Sequence, residues 1–562
     1  MATRSTRRRV LGVGTAGVTV RELSGGRINY VWRADGPDGS FVLKHSPPYV
    51  RSIGPSFRLS QARLRAEAVA HAAAAAACPA HVPSLLLHDP AASALVSELL
   101  GRHPEQPRVK LIDALAAASA SAAGTASTTD GMASCAAGGS TADGGVSSDG
   151  GGGVAAASAG ALPPHLAGLA SDLSYLLGSY LIRYSPYGTH VQHGRAAGGE
   201  EARTAAAAAA AAVRGLAECN AEVVAANTDV VFRDPWDAAC ERNRVPPGLD
   251  SAVAALRSDA EVRTEVARLL AVYSMRRETL IHNDLTTGNI LVPVRGNSGE
   301  SGRGGGGAGG GGDGGGGGGQ RGGGGGGVQG GEGGQGGGGG GGGGHLVATH
   351  LIDWEFATCG PMAYDIGSLI GNLLLSYCAM CGSGDGGGSG ERQRGGRGRG
   401  EEEATAAAEA EACGAWLLEC VACVWEGLEG QLLKAATAAE AAAAASAAPP
   451  VGTGVARRPG PSPRPLAEAY VRELLADSLG FAGCVVSRLT WGMHHYPAIE
   501  RIASSGRRTV CQGLALRIAG SLLRPAERAV RGWHGLSCGG DDDGDSTGGV
   551  AASASRAVWC HG

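Results

Sequence analysis

Between Gly296 and Gly344 the chain carries 36 glycines in 49 positions. Glycine loses more backbone freedom on folding than any other residue and brings no side chain to bury, so such a tract cannot recover its ordering entropy. Any folded unit has to be assembled from the segments on either side. Other biased tracts run through Ala116–Ala161, Ala205–Ala212, Gly382–Ala408 and Ala435–Pro465, and these too are expected as low-complexity inserts. With them set aside, the 562 residues reduce to a core sized for one two-lobed unit.

The two flanks of the glycine tract carry the chemistry. Upstream lies Leu280-Ile281-His282-Asn283-Asp284-Leu285-Thr286-Thr287-Gly288-Asn289-Ile290, and downstream Leu351-Ile352-Asp353-Trp354-Glu355-Phe356. Asp284 and Asn289 stand five positions apart between apolar runs, so a carboxylate and an amide oxygen can point from one short loop toward a common point. Asp353 and Glu355 close an apolar, β-like run and are hard oxygen ligands of the kind Mg²⁺ prefers. Phosphoryl transfer asks for such parts: a hydroxyl-orienting Asp and metal-bound oxygens. Either half alone is weak, because His-x-Asp arises often by chance and Asp-x-Glu is usually a solvated turn. Together they point to a phosphotransferase. Asp284 and Asp353 are 69 residues apart and the tract takes 49 of them, which leaves enough chain for a simple hairpin with the insert at its tip. Closure entropy grows only logarithmically with loop length, so lengthening that tip costs about 2 kcal/mol.

The N-terminal part reads as strand, glycine turn, strand: Val18 to Leu23, then Ser24 to Asn29, then Tyr30 to Trp32. Gly25 and Gly26 would let backbone N–H groups approach a phosphate, with Asn29 beside them, although most Gly-Gly hairpins bind nothing. A third strand, Phe41 to Lys44, ends in a lysine, and the helical pattern of Gln61 to His71 offers Glu67 as its partner. Such a pair resembles the one with which kinase-like folds fix a cation against the α- and β-phosphates of ATP, while the bland alternative for Lys44 is a solvated strand end. Ser84 to His88 and Ala94 to Leu99 resemble the pair of strands that leads to the hinge of kinase-like folds, a resemblance that implies an adenine-reading backbone at Ser97, Glu98 and Leu99. Helical patterns then dominate: Leu173 to Ile182, Ser251 to Ser258, Val262 to Met275, Trp416 to Leu433, Ala467 to Leu479 and Thr509 to Leu523. The pattern predicts an α+β fold, with a basic tail over 1–16, a β-rich N-lobe over 17–100, a mostly helical C-lobe over 101–535 and a tail over 536–562.

Composition removes other classes. A net charge of −4, from 48 basic and 52 acidic residues, gives no reason to expect nucleic-acid binding. The Gly/Arg segments Arg303 to Arg321 and Arg392 to Arg399 have few aromatics to stack on bases. Ile366 to Met380 is short for a bilayer and has Asp365 at its head, so a buried helix is expected and no membrane partner. The basic start at Arg4, Arg7, Arg8 and Arg9 is very short for an organelle transit peptide, so a cytoplasmic location is expected. The 14 cysteines are scattered, which favours reduced thiols. Zinc at Cys378-x-x-Cys381 or Cys420-x-x-Cys423 is disfavoured, since one straddles a helix end and the other sits inside a helical pattern.

Several further segments carry a family resemblance: Leu43-Lys44-His45-Ser46-Pro47-Pro48-Tyr49-Val50-Arg51 with Ile53-Gly54, Thr228 to Pro235, Gly360 to Gly367 running into Gly371-Asn372-Leu373, and Asp477 to Cys484. In this order, from about residue 18 to 525, the chain resembles the S-methyl-5-thioribose kinases, part of the aminoglycoside phosphotransferase and choline kinase group with its protein-kinase-like fold. The resemblance implies transfer of the ATP γ-phosphoryl group to the 1-hydroxyl of methylthioribose, with ATP and Mg²⁺ as cofactors, a sugar as partner and a homodimer as assembly. It implies Asp284 at the sugar hydroxyl, Asp353 and Glu355 on Mg²⁺ with Asn289 as a further ligand, Lys44 on phosphates, and Arg488 near the sugar and the developing charge. Where the family loop reads His-Gly-Asp-Leu-His-Thr-Gly-Ser, this chain has Asn283 for Gly, Thr286 for the second His and Asn289 for Ser. Leu489 stands where a second arginine would be, and Ser24 replaces a glycine of the nucleotide loop. Two other readings stand beside this one: a choline or ethanolamine kinase, which needs an aromatic cage that 4% aromatic residues make hard to build, and a lapsed nucleotide-binding pseudokinase.

Overall fold

The structure is a computed structural model, described here for residues 17–23, 26, 28–37, 39–101, 108–122, 166, 168–188, 200–293, 349–381, 397–446 and 463–524. The glycine tract at 296–344, both tails, Gly25 and most of the expected insert at 116–161 lie outside the described residues.

Strands β1 (Thr19–Glu22), β2 (Tyr30–Gly36) and β3 (Gly39–His45) run antiparallel with β4 (Leu85–Asp89) and β5 (Ala94–Glu98) in one sheet of order β1-β2-β3-β5-β4. Alternation along β3 sends Lys44 and Val42 to one face, and their partners Leu95 and Ser97 follow them. Helix α1 (Arg63–Ala77) lies between β3 and β4 and packs Leu64 and Ala68 against Leu95 and Leu85 on that face. Glu67, one turn from Leu64, is thereby brought over Lys44.

Beyond the sheet the chain is mostly helical. Helices α2 (Leu111–Ala122), α3 (Leu169–Arg183), α4 (Glu200–Arg214), α5 (Leu216–Cys219), α6 (Ala221–Thr228), α7 (Asp250–Ser258) and α8 (Ala260–Met275) precede two short antiparallel pairings. Strand β7 (Thr279–Ile281) pairs with β10 (Thr358–Gly360), while β8 (Ile290–Pro293) lies between β6 (Arg108–Lys110) and β9 (His350–Leu351). Ile290 is opposite Leu351 and Leu291 opposite His350, so the chain does return antiparallel across the glycine tract.

Helix α9 (Met362–Cys381) is buried on all sides, in keeping with an apolar run that has no solvent face. It packs against α10 (Arg397–Ser446), α11 (Pro463–Trp491) and α13 (Ser505–Leu522), with the short α12 (Pro497–Glu500) beside it. Gly367 sets the closest approach to α11: a Cβ there would come within 2.3 Å of the Ser478 carbonyl and 2.7 Å of Phe481. Among the described residues no helix is long and apolar enough to cross a membrane.

Two expectations need correction. Ala205–Ala212, read as an insert, is the middle of α4, with Ala210 and Val213 buried. Likewise α10 starts inside the expected insert at 382–408 and ends inside that at 435–465, and α11 begins at Pro463. Alanine is the residue least penalised in a helix, so a low-complexity alanine run next to a core becomes helix where a glycine run cannot.

Candidate active site

The loop between β7 and β8 is held from beneath by one buried carboxylate. Asp365, on the first turn of α9, accepts the backbone N–H of His282 at 2.6 Å and of Asn283 at 2.9 Å, with the Tyr180 hydroxyl at 2.7 Å. Burial pushes the Asp365 carboxyl up to about 6, against the downward pull of those three donors. Asn283 sits at φ 66°, a left-handed conformation that asparagine tolerates better than most side chains. Its side chain is fixed as well, donating to the Phe356 carbonyl at 3.0 Å and accepting from Tyr273 at 2.8 Å and Asn227 at 3.2 Å. His282 is buried, which pulls its pKa down to about 4 and keeps it neutral. Its Nε2 donates to the Ile352 carbonyl at 2.9 Å, leaving Nδ1 to accept the Asp284 N–H at 3.3 Å.

Asp284 therefore leaves a rigid loop at a defined angle. Its side chain stays 23% accessible, so a small acceptor can reach it. One carboxylate oxygen accepts from Asn289 Nδ2 at 3.0 Å, and Arg488 Nη2 lies 3.6 Å from the other. Burial pushes the carboxyl up, Arg488 pulls it back and Asp353 pushes it further, to about 6. At neutral pH such a group is ionised yet basic enough to receive a proton.

Across the loop, Lys44 is gripped by three carboxylates. It donates to Glu67 at 2.6 Å, pairs with Asp353, and lies 3.7 Å from Glu355. Burial would lower the Lys44 pKa, but Asp353, Glu67 and Glu355 outweigh it and hold the ammonium well above its ordinary value. Asp353 stands at φ 70°, and a single 3₁₀ turn, Trp354–Phe356, swings Glu355 back to the same side. Burial raises Glu355, and the nearby Asp353 charge raises it further; burial also raises Glu67, whereas Lys44 overcomes burial at Asp353 and lowers it. Oxygen atoms of Glu67, Asp353 and Glu355 all lie within 4.8 Å of one another, and the second oxygen of Glu67 is buried with no hydrogen-bond partner. Three hard carboxylates around one ammonium, with an oxygen to spare, suit a divalent cation such as Mg²⁺.

The two halves form one site. Ile352 N–H donates to the Asn289 carbonyl at 3.0 Å, and the Asp353 charge acts on Asp284 as that of Asp284 acts on Glu355. Trp354, fully buried against His282 and Tyr180, packs the joint.

Of the residues picked from the sequence, Lys44, Glu67, Asp353 and Glu355 are brought together, as are Asp284, Asn289 and Arg488. Asn289 directs its amide nitrogen to Asp284, so its Oδ1 alone is left for a metal. Asn29 reaches past the glycine turn and donates to Glu355. Gly26 has a tight place there, since a Cβ would meet the Asn29 carbonyl at 2.5 Å. Ser97 is buried on β5, while Glu98 and Leu99 line a cavity of about 510 Å³ with Phe41, Leu86, Arg108 and His350. Lys44, Asp284 and Asp353 are not among the residues that line that cavity. Leu489 is buried in the core. Sequence reasoning gave no role to Asp365, Arg63, Asn220 or Asn227. Asp365 alone had a signal, a carboxylate heading a long apolar run. Asn220 donates to the carbonyls of Glu355 and Ala357 at 2.9 and 3.0 Å, and Asn227 accepts from Arg488 at 3.3 Å.

No family model matches the chain. Methylthioribose kinase 2 of Oryza sativa subsp. japonica is 23% identical over 517 residues, which cover 92% of this chain and 87% of that protein. Methylthioribose kinase 1 of the same plant is 24% identical over 520 residues, 92% of this chain and 86% of that protein. The methylthioribose kinase of Pectobacterium atrosepticum is 22% identical over 511 residues, 91% of this chain and 88% of that protein. The chain is a distant, near full-length homologue of methylthioribose kinases from plants and bacteria.

Proposed function

We propose that this chain is an ATP-dependent kinase of protein-kinase-like, two-lobed fold that phosphorylates the 1-hydroxyl of S-methyl-5-thioribose, a methionine-salvage reaction. The observation that carries it is the meeting of Asp284 and Arg488 beside the Lys44, Glu67, Asp353 and Glu355 group. The near full-length likeness to proteins of that name supports the acceptor.

In this reading residues 17–100 hold the nucleotide and the helical remainder holds the sugar. Gly25, Gly26, Ser97, Glu98 and Leu99 belong to the nucleotide side, and Lys44, kept cationic by Glu67, contacts the phosphates. Asp353, Glu355 and the Asn289 amide oxygen would hold Mg²⁺, which when bound would supply charge neutralisation at the transferring group. Asp284 orients the sugar hydroxyl and takes its proton as the oxygen attacks the γ-phosphorus. The bond from that phosphorus to the β–γ bridging oxygen breaks, and ADP departs. Arg488 balances the charge that develops beside Asp284. Its neighbour Leu489 supplies no charge, so one guanidinium does the work of the family's pair. The same reading takes the enzyme as a cytoplasmic homodimer.

The test is a competition: the purified chain with Mg-ATP and equal methylthioribose and choline. Phosphorylated methylthioribose is expected. Phosphorylated choline alone would overturn the acceptor, and no turnover of either would favour the lapsed enzyme.

A further inference from the structure

Arg63 is among the largest fully buried side chains among the described residues, and nothing in the mechanism above uses it. Its guanidinium is saturated from one direction by carbonyls: Leu59 at 3.1 Å, Ser60 at 2.8 Å and Pro47 at 2.7 Å. From the other, Nε and Nη2 converge on a single atom, Asn29 Oδ1, at 3.1 and 2.9 Å. Asn29 is itself buried, and its Nδ2 donates to Glu355.

An amide can present either its oxygen or its nitrogen to a neighbour, and the choice is set by what else it touches. Two guanidinium N–H groups on one side admit only the oxygen there. The nitrogen must then face Glu355, where it donates to a carboxylate that would repel an oxygen. Arg63 thus sets the sense of the Asn29 amide, and Asn29 sets the carboxylate. Lysine could keep the charge and some carbonyl contacts but, as a point donor, cannot deliver the two converging bonds.

We infer that Arg63 and Asn29 are positioning residues that hold Glu355 as a metal ligand, an inference that rests on the kinase reading of the site. Partners that orient a ligating group change metal affinity or activity by about 10- to 100-fold when removed.

The experiment is calorimetric titration of ADP into the full-length chain, across a Mg²⁺ series and separately in EDTA, for wild type, Arg63→Lys and Asn29→Ala. In both variants the Mg²⁺ concentration for half-maximal ADP affinity should rise by about 10- to 100-fold, and ADP affinity should fall less in EDTA than in the presence of Mg²⁺. Unchanged Mg²⁺ dependence, or an equal loss of ADP affinity with and without metal, overturns the inference and leaves the kinase reading intact. Failure of wild type to bind ADP in either condition overturns both. Should Arg63→Lys not fold, Asn29→Ala decides, because it keeps every carbonyl contact of Arg63.

Discussion

Asp365→Asn separates the loop's geometry from its stability. The substitution keeps the shape of the side chain but turns one acceptor oxygen into a donor. If the amide oxygen takes the place that receives Tyr180 and His282, the Asn283 N–H faces an NH₂ group and is stranded. A stranded buried donor costs about 1–3 kcal/mol, while the charge assistance that the two surviving bonds lose is already contained in the raised Asp365 value. Against this, the variant escapes the cost of an ionised buried carboxyl. Lifting Asp365 from 3.8 to about 6 makes that cost about 3 kcal/mol at neutral pH. Because the folded value is raised, the penalty is absent below 3.8 and complete only above about 6. The balance at pH 7 lies between no change and a net gain of about 2 kcal/mol. The rate should suffer nonetheless, since Asn283 at φ 66° loses its anchor and a misplacement near 1 Å can cost about 100-fold. Urea unfolding at pH 7 and steady-state kcat on the same preparations measure the two effects. A kcat within twofold of wild type would refute the idea that Asp365 shapes the catalytic loop.

Three other outcomes follow from particular contacts. The rate should fall as pH drops through about 6, the value to which Asp284 is raised, because the base works only when ionised; its protonation favours the folded state at the same time, so activity lost in the pH 5–6 range should return on neutralisation, and a flat profile from pH 5 to 7 would contradict the assignment. Gly367→Ala puts a Cβ within 2.3 Å of the Ser478 carbonyl and should lower stability by about 1–3 kcal/mol, read from the denaturation midpoint; an unchanged midpoint would mean that α9 and α11 are less tightly packed. Asn283→Gly and Asn283→Ala both delete the side-chain bonds, but only alanine is strained at φ 66°, so the glycine variant should be the more stable by about 1 kcal/mol; equal stability would argue against the left-handed loop.

The charged centre was legible where a residue's role is local. Lys44 at the end of a strand and Glu67 on the next helix read as a pair because strand and helix periodicities fix which faces they occupy. Asp353 and Glu355 read as ligands because two carboxylates close one apolar run, and the single 3₁₀ turn that lets both face inward was hidden in the two-residue spacing. Arg488 was reachable only through family resemblance, since nothing in its helix marks it off from other arginines. Arg63, Asn220 and Asn227 were illegible for a different reason: they act on groups more than thirty positions away, and burial of a polar side chain is decided by tertiary packing that no local pattern records. The alanine tracts misled because composition distinguishes them poorly. Ala205–Ala212 became helix, with Ala210 and Val213 packed inward, whereas composition alone reads the same as that of an unpacked linker.

The central claim is that Asp284 works on an acceptor hydroxyl across from the Asp353 and Glu355 pair. The direct measurement is the rate of ATP-dependent phosphorylation of methylthioribose by Asp284→Ala beside wild type, at saturating Mg²⁺. A loss of at least ~100-fold with nucleotide binding retained is predicted. A variant as fast as wild type would contradict the account.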